Sequence, residues 1–153
     1  METGFICECE EHQVVPGLEI DIKGTVLRGD LLTADAPESV AGLREVLPME
    51  SSLEHVRWSG HATWVNLEGT GLPDLPRENH TVYPSRGDVL VYPGFQNDKE
   101  LLLACGPTCF KSPAGEQAGN HVATVSASRE TLRSLEETTL EEGAQEVHVR
   151  IVE

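Results

Sequence analysis

Residues 80–94, HTVYPSRGDVLVYPG, give the clearest indication of the fold. β-branched and aromatic side chains predominate in this stretch, and such residues favour extended strands. Each of its two tyrosines precedes a proline, which cannot donate to a strand ladder and therefore ends a strand. Gly87 and Asp88 between the apolar runs predict a tight hairpin turn. We therefore expect two strands here, with Arg86 and Asp88 as a local ion pair that contributes little at an exposed site.

The segments on both sides of this stretch have the same strand-like character. The last of them alternates Val147, Val149 and Ile151 with polar residues, which is typical of a strand with one buried face. Residues 71–79, GLPDLPREN, are bounded by proline and glycine and predict a loop. The further strand-like segments share apolar or alternating runs broken by glycine, and they are residues 18–34, 55–67, 100–106, 120–128 and 144–152.

Two segments have helical spacing instead. One begins at Pro37, where a proline suits the first turn, and ends at Pro48. The other runs from Ser128 to Glu142 with Gly143 as its stop. Their apolar faces consist of Val40, Leu43, Val46 and Leu47 in the first, and Leu132, Leu135 and Leu140 in the second. Many short strands with two helices predict a mainly β protein, a closed barrel or sandwich whose ends the helices plug.

Composition limits the classes of partner. The 153 residues suit one domain, and a hydrophobic content of 39% is sufficient for one core. A formal charge of −15 repels phosphate backbones and anionic lipids, so we expect neither nucleic acid nor a membrane as partner. The N-terminus lacks a basic start followed by an apolar run, and the chain has no 18-residue apolar stretch, so we expect a cytoplasmic protein.

Four cysteines occur in two pairs, Cys7 with Cys9 and Cys105 with Cys109. A composite zinc site from all four is one hypothesis, and four buried thiols are the alternative. Neither C-x-C nor C-x-x-x-C is the usual C-x-x-C pair that directs two thiolates at one zinc ion. Motifs for phosphate, dinucleotide or zinc-protease chemistry are also missing, so we predict no metal and no cofactor.

Several blocks of the sequence together resemble a known family. They are GHATWVNL (60–67), ENHTVYPSRGDVLVYPG (78–94), ELLLACG (100–106), AGEQAGNHVATV (114–125) and EEGAQEVHV (141–149). They are similar to a bacterial family of unknown function with a cyclophilin-like β-barrel. The resemblance implies a closed cyclophilin-like barrel over residues 18–153, preceded by an N-terminal arm, residues 1–17. The family pattern implies an acidic residue where this chain has His61, and a lysine where it has Pro113.

A candidate binding site starts from Asn120 and His121, which follow two glycines and precede a strand-like run. Gly115 and Gly119 permit a close backbone approach, so the loop can fold over a concavity. Asparagine supplies a donor and an acceptor, and histidine titrates near neutral pH. If the pair forms a wet lip, truncating it costs less than about 1 kcal/mol of stability, whereas truncating a buried pair costs roughly 1–3 kcal/mol.

Four further residues complete the predicted rim, namely Trp64, Glu78, Asn79 and Tyr92. The first hypothesis is a module that binds a small polar metabolite or a peptide end at this rim. The alternative is an enzyme with His121 and Glu78 as an acid/base pair. The third is a purely structural homo-oligomer in which the acidic N-terminal arm docks on a neighbour. For the assembly itself we predict a homodimer, in which the arm packs as an extra strand. We predict no prolyl isomerase activity. The family resemblance implies that this activity needs an arginine among clustered phenylalanines, and the chain has three phenylalanines in total.

Overall fold

A computed structural model describes residues 15–153 of the chain. Most of the predicted arm, with Cys7 and Cys9, therefore lies outside the described residues. The elements, in chain order, are β1 (Gly17–Ile22), β2 (Thr25–Asp30), α1 (Pro37–Val46), β3 (Met49–His55), β4 (Gly60–Asn66), β5 (His80–Thr81), β6 (Asp88–Tyr92), β7 (Glu100–Thr108), β8 (Lys111–Ser112), β9 (Gly115–Glu116), β10 (Gly119–Thr124), α2 (Arg129–Glu142) and β11 (Gln145–Val152). The protein is mainly β with two helices, as predicted.

Nine of these strands form one strongly curled sheet in the order β2-β1-β11-β3-β4-β7-β6-β10-β5. The expectation of a closed barrel is wrong, because the sheet is an open half-barrel. Its ends approach each other through two isolated bridges, Arg28 with Ser126 and Leu31 with Ala123, and not through a continuous ladder. β5 pairs with Gly119 and Asn120 of β10. It therefore occupies part of the β10 edge with which β2 would have to pair to close the barrel.

The sheet carries an apolar layer on each face. On β7, Leu101 and Leu103 belong to the main core, whereas Leu102 and Ala104 belong to a second, smaller cluster. This alternation follows from the two-residue period of a strand. Both helices contribute to the main core, and Phe110, fully buried, belongs to the smaller cluster on the opposite face. We call the first face the inner face and the second the outer face.

Both predicted helices are present, and they begin and end at or near the predicted residues. α1 begins at Pro37, and α2 follows Ser128, whose hydroxyl accepts a hydrogen bond from the Thr131 amide at 3.1 Å. Gly143 ends α2 with a φ of 95°. Leu140, expected on the buried side, is 39% exposed. Neither helix of residues 15–153 is long and apolar enough to cross a bilayer.

The hairpin expected at Gly87 and Asp88 does not form. A turn is present there, with the Asp88 amide donating to the Ser85 carbonyl at 2.9 Å. The flanking strands nevertheless do not pair with each other, because β5 pairs with β10 and β6 pairs with β7 and β10. The Asp88 carboxylate accepts from the Ser85 amide and the Thr124 hydroxyl, and within residues 15–153 it makes no ion pair with Arg86.

Candidate functional site

Asn120, the first residue of the predicted lip, is fully buried on the inner face. Its amide nitrogen donates to the Ser39 hydroxyl and the Pro76 carbonyl, both at 2.9 Å. Its amide oxygen accepts from the Glu78 backbone N–H at 3.1 Å. These bonds join β10 to α1 and to the loop that precedes β5, so the Asn120 side chain holds these three parts of the fold together.

Glu78 and His121 have separate partners. The Glu78 carboxylate accepts from the Ser39 backbone N–H at 2.6 Å, within the first turn of α1. The His121 imidazole contacts the Thr124 hydroxyl at 2.9 Å and the Asp88 carboxylate at 3.2 Å. The two side chains have different partners, and no hydrogen bond or ion pair joins Glu78 to His121 within residues 15–153.

The predicted lip is divided between the two faces of the sheet. Asn120 is opposite Val91 of the inner core, and His121 is opposite Leu90 of the outer cluster. Asn79 stays close to His121, because its side-chain Nδ2 donates to the His121 backbone carbonyl at 3.0 Å and its backbone carbonyl accepts from the His121 backbone N–H at 3.1 Å. The close approach expected at Gly119 is to the protein itself, because a Cβ there would lie 3.0 Å from the Phe110 ring.

Trp64 and Tyr92, the remaining predicted residues, are both on the outer face. Trp64 is half-buried and packs against the outer cluster, of which Tyr92 is a member. The Tyr92 ring makes an edge contact with the Phe110 ring, with centroids 5.7 Å apart. The Tyr92 hydroxyl accepts a hydrogen bond from the Gln96 backbone N–H at 3.0 Å. The structure therefore separates the six predicted residues into this outer pair and a group beside β10.

A cavity of about 180 Å³ opens beside Trp64. We call it the tryptophan cavity, because both tryptophans of the chain line it. Trp58 is 56% exposed, which is unusual for so large an apolar ring. The lining combines aromatic, acidic, basic and amide groups, from Trp58, Trp64, Asn97, Asp98, Glu100, Lys111, Ser112 and Pro113.

Glu100 is the most perturbed acid in this cavity. It is 7% exposed at the start of β7, and burial raises the pKa of its carboxyl to about 7, while the neighbouring Gln117 opposes the shift and Asp98 adds to it. The Gln117 oxygen accepts from the Asn97 amide at 3.2 Å. Its buried Nε2 has no partner in hydrogen-bonding geometry within the described part of the chain. A perturbed acid in a cavity marks a candidate binding site, and the unsatisfied Gln117 amide lies next to it through its contact with Asn97.

The cysteines that can be described do not converge on one place. Cys105 is buried against the inner core, and burial raises the pKa of its thiol to about 12, with the Glu136 carboxylate adding to the shift. Such a thiol is a poor nucleophile and a poor metal ligand. Cys109 lies elsewhere, its sulfur 3.7 Å from the Glu116 carboxylate.

One group of three potential metal-ligand atoms is present on the surface of β3 and β11. Atoms of Glu50, Glu146 and His148 lie within 4.8 Å of one another, and all three residues are exposed. Exposed carboxylates are well solvated, so this geometry alone carries no metal assignment.

Sequence reasoning missed Trp58, Glu100 and Lys111. Glu100 had a readable signal, since an acid directly before the apolar run LLLAC is drawn into the core with that strand. Trp58 and Lys111 had none, because residues far apart in sequence come together only when the curled sheet forms.

The comparisons with known proteins agree with this architecture. The family model described as protein of unknown function (DUF3830) matches residues 18–151. The chain belongs to this family. The predicted resemblance to a family of unknown function is therefore confirmed. No curated protein matches the sequence of this DUF3830 chain.

Solved structures share its fold at low identity. McbB, solved in complex with tryptophan, has 19% identity and a TM-score of 0.66 over 87% of this chain. The chain spans only 44% of McbB. The hypothetical protein AF2241 from Archaeoglobus fulgidus has 19% identity and a TM-score of 0.58, with 92% of this chain and 97% of that chain covered. A cyclophilin-type peptidyl-prolyl cis-trans isomerase from Cryptosporidium parvum, solved in the presence of the dipeptide ala-pro, has 15% identity and a TM-score of 0.51, with 89% and 97% covered. The cyclophilin-like fold is thus supported.

Proposed function

We propose that this protein binds a small zwitterion, namely a free amino acid or the end of a peptide, in the tryptophan cavity. The supporting observation is that Trp58 and Trp64, the two tryptophans of the chain, line one cavity together with acidic and basic side chains. An exposed indole beside polar groups is typical of a surface that contacts a ligand.

An ammonium group fits the acidic side of the cavity. Indole faces attract cations, by roughly 0.5–2 kcal/mol depending on solvation. Asp98 and Glu100 supply carboxylates in the same lining. The net charge of −15 also attracts cations from solution, so the field of the whole protein acts in the same direction.

A carboxylate fits the other side. Lys111 and Ser112 line the cavity, and within residues 15–153 Lys111 makes no ion pair with a protein carboxylate. An ammonium and a hydroxyl can both donate to a ligand carboxylate. The volume of about 180 Å³ is below the roughly 300 Å³ at which drug-sized pockets begin, which favours a ligand of one residue's size.

The cavity side chains carry this proposal, and the likeness to McbB does not. McbB was solved with tryptophan, which is itself an amino acid. At 19% identity that likeness concerns the fold, so it neither identifies the ligand nor locates the site in this chain.

Intrinsic fluorescence tests the proposal directly, because all tryptophan emission arises from Trp58 and Trp64. The probes are L-alanine, the dipeptide alanyl-alanine, alanine amide without a carboxylate, and N-acetylalanine without an ammonium. We expect a saturable change with alanine or the dipeptide, and weaker binding of both derivatives. Since a hydrogen bond to a charged group contributes about 1.5–3 kcal/mol, each lost charge should weaken binding about tenfold or more.

Variants separate the cavity from general charge effects. Glu100→Gln should weaken binding of the alanine probes at about pH 8, where the carboxylate predominates. Glu137→Gln, which removes the same charge from the exposed face of α2, should not. If neither alanine nor the dipeptide changes the fluorescence or the melting temperature at millimolar concentration, the proposal is overturned.

A further inference from the structure

A second cavity, of about 220 Å³, lies beside α2 on the inner side of the sheet. We call it the arginine cavity. Its lining comes from β4, β7, α2 and the turn before β6, and consists of His61, Arg86, Cys105, Gly106, Pro107, Arg129, Arg133 and Glu136. It is separate from the tryptophan cavity, because Cys105 and the apolar residues of α2 belong to the inner core, whereas Trp64 packs on the outer cluster.

Positive charge is concentrated in this cavity. Three of the 11 Lys and Arg residues of the chain line it, in a protein of net charge −15. Arg129 and Arg133 are four residues apart on α2 and so lie on one side of the helix. Within the described part of the chain, Arg86 and Arg129 make no ion pair, and Arg133 has only a 3.8 Å contact with Glu137. Such an exposed contact is weak, so all three guanidinium groups remain available.

The one carboxylate that residues 15–153 contribute to the cavity lining, Glu136, contacts two histidines. One oxygen of Glu136 lies 2.7 Å from His61 Nδ1 and 3.1 Å from His55 Nε2. The His55 side chain is 5% exposed, and its Nδ1 has no partner among the described residues, so its ring is held through Nε2 against Glu136. Within residues 15–153 Glu136 makes no ion pair with an arginine, and the exposed His61 imidazole has no partner there at Nε2.

An irregularity of the β4–β7 pairing lies at this cavity. Gly60 pairs with Thr108 and Ala62 with Ala104, so His61 alone on β4 stands opposite residues 105–107 of β7, and the extra residues are on β7. Bulges redirect a side chain and are over-represented beside functional sites. On the facing strand, a Cβ at Gly106 would lie 3.1 Å from His61 Cβ, so glycine permits the close packing of the imidazole.

We propose that the arginine cavity binds a phosphate group, either free phosphate or the head of a small phosphate monoester. Planar guanidinium groups donate paired hydrogen bonds to phosphate oxygens, and three of them around one small cavity suit a dianion better than a monoanion. Three guanidinium charges against the one Glu136 carboxylate leave the lining positive, although the protein as a whole repels anions. This site is independent of the tryptophan cavity and of its proposed ligand.

Titration calorimetry of the full chain tests the proposal, with inorganic phosphate, methyl phosphate and acetate as probes. We expect phosphate or methyl phosphate to bind at least about tenfold more tightly than acetate, because each charge-assisted bond adds to affinity. Tighter binding of methyl phosphate indicates a phosphate monoester, and tighter binding of inorganic phosphate indicates the free ion. Equal affinity for acetate, or no heat with either phosphate probe, overturns the proposal.

Charge-matched variants locate the binding. Arg129→Gln and Arg133→Gln should each weaken phosphate binding about tenfold or more. Arg44→Gln removes the same charge from an exposed pair with Glu153 and should have little effect. If a helix variant melts early, Arg86→Gln on the turn replaces it, because Arg86 is exposed. Equal losses in Arg44→Gln and in the cavity variants would show a general charge effect and overturn the assignment.

Discussion

The Glu100 carboxyl couples the stability of the fold to pH. Its pKa in the folded protein is about 7, against an ordinary value of 4.5. A raised carboxyl pKa means that the neutral form is favoured on folding, so the stabilisation is complete below about pH 4.5 and is lost as pH rises through 7. The contribution is on the order of 3 kcal/mol, and denaturant unfolding at about pH 5 and pH 8 measures it.

Glu100→Gln provides the control for this prediction. The variant keeps a neutral, isosteric group at the start of β7, so it should unfold with a weaker dependence on pH than the wild type. An unchanged pH dependence would contradict the assignment of the shift to Glu100. Binding should depend on pH in the opposite direction, since the ammonium of alanine interacts with the carboxylate form that becomes populated above about pH 7.

Asn120 and His121 should differ in their contribution to stability. Asn120 is fully buried and makes three hydrogen bonds, so Asn120→Ala leaves partners unpaired and should cost roughly 1–3 kcal/mol. The His121 side chain is 24% exposed, and water can replace its contacts, so His121→Ala should cost less than about 1 kcal/mol. Urea unfolding of both variants provides the measurement, and equal midpoints would contradict this difference.

The same pair shows what sequence could and could not predict at this scale. Of the two glycines before Asn120, Gly119 does make a close approach, to Leu90 and Phe110 and not to a ligand, whereas Gly115 has a positive φ of 115° and no close neighbour. No local pattern distinguishes these cases, because Ser39 lies 81 residues from Asn120. The chemistry of Trp64 and Tyr92 favours a place at a site, and in the structure Trp64 lines the tryptophan cavity while Tyr92 belongs to the outer cluster against which Trp64 packs.

At the scale of elements, α1 depends on a capping group from another part of the chain. Its own N-cap residue, Ala36, makes no side-chain capping bond. The Glu78 carboxylate instead accepts from the Ser39 backbone N–H at 2.6 Å and adds a negative charge at the positive end of the helix.

Glu78→Ala should therefore cost about 1 kcal/mol, and Glu78→Gln less, because an amide oxygen still accepts. Glu38→Ala is the matched control, since Glu38 is an exposed acid in the same first turn. Thermal unfolding of the three variants provides the measurement. If Glu38→Ala destabilises the protein as much as Glu78→Ala does, the charge near the helix end matters and the capping bond does not.

Element boundaries followed the local signals closely for helices and less well for strands. Pro37, Ser128 and Gly143 act through the backbone of their own segment, so helix ends were predictable. The pairing of β5 with β10 was not predictable. Turn residues at Gly87 and Asp88 indicate that the chain changes direction, but they do not specify which strand pairs with β5.

At the scale of the whole molecule, we propose that the chain forms a homodimer. β2 and β5 are the terminal strands of the open sheet, β2 meets the segment 123–126 only through isolated bridges, and Val26 on β2 is 52% exposed. Incompletely paired edges recruit additional strands, and the predicted arm contains apolar residues suited to that role. Light scattering at micromolar concentration should show a dimer, and a chain without residues 1–14 should be a monomer. A full chain that is monomeric contradicts the proposal.

The likeness to a cyclophilin-type isomerase concerns the fold, and we expect no prolyl isomerase activity. Phe110 is fully buried beneath Tyr92, and Phe95 is 47% exposed with the Arg77 guanidinium 4.5 Å from its ring centroid. Among residues 15–153 there is thus one accessible phenylalanine, and its arginine neighbour is stacked on it rather than set across a phenylalanine-lined groove. Similar folds support unrelated functions, so the activity must be argued from these side chains. A proline-peptide isomerisation assay should show no acceleration over the uncatalysed rate. Acceleration that is lost in Arg77→Ala but retained in Arg57→Ala, a change at another exposed arginine, would show that Arg77 and Phe95 form a working site and that this expectation is wrong.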